Sequence, residues 1–250
     1  MGIINSIVSL FMAPFEWLQA LLKRDRFMIY PGQVVQFIGL PGSGKTMGAS
    51  VMIKRSSDKL KMGVISTPDA GLKFGTVCDV KKLLCSYRIN NKIVMIDESS
   101  LNGFDSREWS TNFKGDGKKA LAQLKLCRHY RNAFITTSQN LNDNDGKIRD
   151  GLVKSTYVCH SIIFKKFILC ERATIVYTFE DGNYKQHIYL PSLFKKIVDP
   201  YSFYIIYKKK AGKLYNSWAT VDIIDNLPEY KGQKEIPEPC YRKRKSETKN

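Results

Sequence analysis

No C-x-x-C pair occurs among the six cysteines, Cys78, Cys85, Cys127, Cys159, Cys170 and Cys240, and none has a histidine at ligand spacing. The sequence therefore indicates no zinc site. Cysteines in predicted strands or helices behave as small hydrophobes, which suits a reducing cytoplasm. Acidic residues are also scarce, with 23 Asp and Glu against 40 Lys and Arg, giving a net charge of +17 in 250 residues. That balance is unusual for a metabolic kinase and natural for a chain that handles nucleic acid or an anionic membrane; a generic basic surface is the plainer reading. After Gly151 no run is long and uncharged enough to span a bilayer. Basic residues follow the first apolar run instead of preceding it, which argues against a secretory signal.

What is present is Gly39-Leu40-Pro41-Gly42-Ser43-Gly44-Lys45-Thr46, a match to G-x-x-x-x-G-K-[ST]. Before it, Gln33 to Ile38 reads as a buried strand, and after it Met47 to Arg55 reads as a helix. Strand, glycine loop and helix are the context this motif requires. The glycines let the loop bend and turn its N–H groups around phosphate oxygens. Lys45 is expected to neutralise the β- and γ-phosphates of a bound nucleotide, and Thr46 to hold Mg²⁺.

Lys92 to Ile96 is a short apolar run delivering Asp97 and Glu98 at its end. In an open parallel sheet this is where sites lie. Asp97 is expected to hold Mg²⁺, directly or through water, and Glu98 to polarise the attacking water. No N-K-x-D follows to read guanine. Ser99 to Lys119 reads as a loop or partly ordered insertion, and Lys118 to Arg131 as a helix. Ala133 to Ser138 reads as another strand, which sets Gln139 to sense the γ-phosphate, orient water, or merely cap a turn. From Thr156 to Tyr189 β-branched and aromatic residues dominate, with a hairpin turn at Glu180 to Asn183. This half either extends the main sheet or forms an appended module.

Ile3 to Leu22 is apolar at helical spacing, with Glu16 its single charge and a basic cluster behind it. An in-plane helix on an anionic membrane, a true span and a helix packed on protein all fit. The expected organisation is an amphipathic helix over 1–26, a P-loop core over 27–155, a β-rich part over 156–226 and a basic tail over 227–250. The tail either touches DNA or anionic lipid or is simply solvated.

The P-loop, Ile96-Asp97-Glu98, Arg128-His129-Tyr130-Arg131, Gln139, Ile148-Arg149 and Leu152-Val153 together resemble the Zot family, the zonula-occludens-toxin-like ATPases that include morphogenesis ATPases of filamentous phages. Leu214 to Ser217 is similar to that family's short tyrosine–serine motif. The resemblance covers roughly residues 30 to 220. It implies an α/β three-layer sandwich of the additional-strand P-loop type, related to HerA/FtsK pumps. It also implies an ATP-hydrolysing motor for virion assembly and extrusion or DNA translocation, in the host cytoplasm and peripherally or monotopically associated with the inner membrane. Implied partners are further copies in a ring, single-stranded DNA, phage coat and assembly proteins, and an anionic membrane surface through residues 3–26. In such rings an arginine reaches a neighbour's γ-phosphate; Arg128 and Arg131 are the candidates, with Arg107 and Arg149 behind them, each set against ordinary surface pairing. Many relatives carry a transmembrane helix after the ATPase domain, and no such run is found here. A conjugation-type DNA-transfer ATPase or helicase, and a membrane-bound nucleotide switch without turnover, are the other readings.

Overall fold

The computed structural model describes residues 27–104, 113, 115–143, 146–180 and 183–216, together with Pro14 and Leu18. The apolar segment at 3–22, Arg107, Ser217 and the basic tail lie outside the described residues. So does the hairpin tip at 181–182.

Short β-branched runs between turn residues form the centre. Val34–Ile38 (β1), Gly63–Ser66 (β2), Thr76–Val77 (β3), Lys92–Ile96 (β4) and Ala133–Ser138 (β5) are mutually parallel in the order β3-β2-β4-β5-β1. β5 therefore stands between the strand that opens into the glycine loop and the strand that ends at Asp97. This insertion is the additional-strand arrangement, and the fold is that of an α/β P-loop NTPase.

The sheet is buried on both faces because each strand alternates between two cores. Val35, Phe37, Ile93, Met95 and Ile135 pack with Met52 and Ile53 of the helix Lys45–Leu60 (α1). Val34, Val94, Ile96 and Phe134 pack with Leu83 and Leu84 of Val80–Ser86 (α2) and Leu124 of Gly117–Lys125 (α3). Helix, sheet, helix makes three layers. α1 outruns the expected end at Arg55 and stops at Lys61, whose φ of 53° is left-handed. α3 ends six residues before the expected Arg131. The buried Asn132 accounts for the stop: its side chain donates to the Ile89 carbonyl and accepts from the Lys92 N–H, and its own N–H bonds the Cys127 carbonyl, tying the chain down for entry into β5.

The β-rich half extends the same sheet. After the short helix Gly146–Arg149 (α4), Val153–Ile162 (β6) pairs parallel with β1, so the division expected after residue 155 falls inside one strand. Phe167–Glu180 (β7) returns antiparallel as one strand of 14 residues. Its first half also pairs with Phe203–Tyr207 (β9), and its second half with Asn183–Tyr189 (β8), Glu180 facing Asn183. Leu193–Val198 (α5) and Lys208–Ala211 (α6) flank β9. Among the described residues no helix is long and apolar enough to cross a membrane.

Phe27 ties the entering chain to this extension. It stacks on Tyr204 at 4.5 Å and meets Phe37 and Tyr157 edge-on. Phe27→Ala is expected to cost about 3–5 kcal/mol by leaving a ring-sized hole, read as a lowered urea midpoint at unchanged slope.

Candidate functional site

The turn from β1 into α1 requires its glycines. Gly44 has φ 97°, and a Cβ there would run into Ile168 Cδ1 of β7. Gly39 has φ 154°, and a Cβ there would sit 2.9 Å from the Cys159 carbonyl oxygen. α1 then begins with no side-chain cap and no acidic residue in its first turn. Its leading N–H groups and the positive end of its dipole face the loop, and the buried Ser43 hydroxyl there has no partner.

Four residues from two motifs meet at the mouth of this loop. Lys45 Nζ lies 2.8 Å from Glu98 Oε1, with the lysine side chain 7 % exposed. Thr46 Oγ1 donates to Asp97 Oδ1 at 3.0 Å and lies 3.2 Å from Oδ2. A cation so buried needs a counter-charge, and Glu98 supplies it. Glu98 holds φ 38°, an uncommon conformation for a non-glycine residue and one that tends to occur at functional sites.

Asp97 is surrounded on its other sides by groups the sequence did not single out. Thr137 Oγ1, from β5, donates to Asp97 Oδ1 at 2.6 Å and accepts from the Glu98 N–H at 2.9 Å. Thr67 Oγ1, at the end of β2, accepts from the Asp97 N–H at 3.1 Å. Asn102 Nδ2 donates at 2.7 Å to both the Asp97 carbonyl and the Asp69 carboxylate. Burial pushes Asp97 up to about 7; the Thr137 hydrogen bond lowers it, the nearby Asp69 charge raises it, Thr46 lowers it and Glu98 raises it. Burial raises Asp69 as well, and its Oδ1 is buried without a partner. The only signal in the sequence was position: Thr67 and Asp69 follow a strand end, as Asp97 does.

The Leu214-Tyr-Asn stretch returns to this edge. Tyr215 bridges Leu72, the Asn216 N–H bonds the Gly71 carbonyl, and the Asp97 charge helps burial raise the Tyr215 phenol.

Gln139 is exposed beyond β5 and lines a cleft of about 820 Å³ with Gly39, Leu40, Pro41, Gly42 and Ser43. The opposite wall is the end of β6 with Lys165 and Gln186. Capping of the turn falls to Asp143, which accepts from the Asn140 N–H at 2.7 Å. Arg128 and Arg131 are not brought to Lys45 and Glu98 of their own chain. They sit in the turn before β5, at the end of the parallel sheet opposite the loop, so any phosphate contact by them requires a neighbouring copy. Arg149 is held by Asp150 and Asn142, as ordinary surface pairing predicts.

The Asp97 carboxylate and the Thr46 hydroxyl form an all-oxygen donor pair, which fits Mg²⁺ and not a thiophilic metal. The partnerless Asp69 Oδ1 is consistent with that fit.

In sequence, no known family and no curated protein matches the chain. In structure it is similar to the N-terminal domain of zonular occludens toxin from Neisseria meningitidis, with 16 % identity and TM-score 0.45 over 74 % of this chain and 100 % of that one. It is also similar to the DNA-packaging ATPase from Sulfolobus Turreted Icosahedral Virus, with 14 % identity and TM-score 0.40 over 64 % and 98 % of the two chains. The sulfate complex of the genome-packaging NTPase of Sulfolobus turreted icosahedral virus 2 gives 14 % identity and TM-score 0.42 over 64 % and 97 %.

Proposed function

We propose that the chain is a Mg²⁺-dependent ATPase that drives assembly and extrusion of a filamentous-phage-like virion, or DNA translocation, at a host inner membrane. The observation that carries the hydrolytic reading is the paired contact of Lys45 with Glu98 and Thr46 with Asp97 at the mouth of the loop. An incoming γ-phosphate competes with Glu98 for Lys45. Once released, the Glu98 carboxylate is free to accept a proton from the attacking water, while the loop N–H groups hold the phosphate chain. Thr46 and Asp97 would hold Mg²⁺, which supplies charge neutralisation between the β- and γ-phosphates. The cleft beside Gly39 to Ser43 is large enough for base and ribose, with Gln139 on its wall. The motor role rests on the resemblance of the motifs to the Zot family, as do the ring, the arginine finger from Arg128 or Arg131, and membrane contact through residues 3–26.

The test is Mg-ATP turnover by the full chain, alone and with single-stranded DNA, anionic vesicles or coat protein. Turnover that rises with one of these additions is expected and identifies the partner the motor answers to. Nucleotide binding without turnover under every condition would replace the motor by a nucleotide switch.

A further inference from the structure

β6 faces Ile38 of β1 with Val158 and then runs on for four more residues, to Ile162. At the rise of a strand this lifts the β6–β7 turn about 13 Å past the level at which the glycine loop begins. The turn itself is strained. Ile163, Phe164 and Lys165 hold φ of 47°, 51° and 61°, three consecutive left-handed residues with no glycine among them and a β-branched side chain at the first. Phe164 is 94 % exposed and Ile163 60 % exposed, so the tip presents an aromatic ring to solvent.

Around that ring the charge is of one sign. Lys165 and Lys166 belong to the turn, and the Lys166 carbonyl accepts from the Lys208 N–H at 3.0 Å, which joins α6 with Lys208, Lys209 and Lys210 to it. Lys213 follows directly. Lys208 Nζ reaches Ser161 Oγ at 2.7 Å. No Asp or Glu occurs between Gly151 and Cys170 or between Pro200 and Asn216. Among the described residues none of these six lysines is in an ion pair with a carboxylate. A ring with open faces above uncompensated lysines is the chemistry that stacks an unpaired base and tracks its phosphates.

The tip is also joined to the phosphate loop. Ile168 fills the space that a Cβ on Gly44 would need, and Lys165 lines the cleft beside Gly39 to Ser43. A shift of the loop on nucleotide exchange therefore has a packed route into the start of β7.

We infer that the β6–β7 tip and α6 form a binding surface for single-stranded nucleic acid, with Phe164 as stacking platform and Lys165, Lys166, Lys208, Lys209, Lys210 and Lys213 as the phosphate track. As the partner of a motor, this surface rests on the nucleotide-driven reading of the P-loop; its binding test does not. Two apolar side chains among six lysines favour a polyanion with exposed bases over a lipid bilayer.

The experiment is fluorescence anisotropy of a labelled oligo-deoxythymidine with the full chain over a range of salt. Phe164→Ala keeps the fold, since its ring is almost wholly in solvent, and is expected to weaken binding roughly 10- to 100-fold with the salt dependence unchanged. The double variant Lys209→Ala/Lys210→Ala is expected to lower both the affinity and the log–log salt slope, the latter by about 1.4. Parental affinity and slope in both variants would overturn the proposal. Loss of phosphatidylglycerol-vesicle binding in Phe164→Ala, with oligonucleotide binding intact, would also overturn it and make the tip a membrane contact. Oligonucleotide binding that depends on Phe164 in a chain that never hydrolyses ATP would sink the motor and leave the surface; turnover without such binding would do the reverse.

Discussion

Glu98→Gln is expected to lower Mg-ATP turnover by about 10²- to 10⁴-fold while nucleotide remains bound. The carboxamide keeps the size of the side chain but cannot take a proton from water. It also loosens the 2.8 Å contact between Lys45 and residue 98, because a neutral oxygen competes less well than a phosphate for the ammonium. Nucleotide affinity is therefore expected to hold or rise as turnover falls. Lys45→Ala should differ in kind. It removes the loop's own cation and leaves the half-buried Glu98 facing incoming phosphates, so both affinity and turnover fall. A fluorescent ATP analogue and a phosphate-release assay on the two variants separate the effects. Equal affinity loss in both, or parental turnover in Glu98→Gln, would remove Glu98 from the role of base.

The inner strands were legible because β1, β4 and β5 are short apolar runs between turn residues, and a parallel strand buried on both faces has that look. The phosphate loop and Asp97 were legible for a different reason: their spacing is set by local geometry that few other sequences satisfy. Asp69 and Thr137 were not. Each becomes part of the site only through pairing of strands far apart in sequence, β2 with β4 and β4 with β5, and a carboxylate after Pro68 reads locally as a turn. The same holds for β9 and α5. Phe203 to Tyr207 carries apolar residues without strand alternation and runs straight into three lysines, and its place is fixed by pairing with β7 and by the stack of Phe27 on Tyr204. That the C-terminal strands extend the main sheet also depended on a non-local fact, the parallel pairing of β6 with β1. The early end of α3 turned on one buried amide, Asn132, whose partners lie some 40 residues away in sequence.

Asp97→Asn is expected to abolish turnover and, in the absence of metal, to stabilise the protein above neutral pH. Burial is the main cause that raises the Asp97 carboxyl to about 7, against an unfolded value near 3.9. Between those values the folded state holds a proton that the unfolded chain has lost, so this group's contribution falls as pH rises from about 4 to 7 and is constant above. At 1.36 kcal/mol per pH unit the loss amounts to at most about 4 kcal/mol. Asparagine does not titrate. Its oxygen, in the Oδ1 position, can accept from Thr137 at 2.6 Å, and its amide, in the Oδ2 position 3.2 Å from Thr46 Oγ1, can donate to that hydroxyl, with the donor reversed in the second contact. Urea unfolding in chelator from pH 5 to 8 is the measurement. The parent should lose stability relative to Asp97→Asn as pH rises, with the gap greatest at pH 8, and Mg²⁺ with nucleotide should rescue the parent alone, because the metal pairs with an ionised carboxylate and drives off its proton. Parallel pH profiles for the two proteins would mean that Asp97 is ionised at neutral pH without metal, its charge carried by the Thr46 and Thr137 hydroxyls, so that this carboxylate stores no metal-dependent stability.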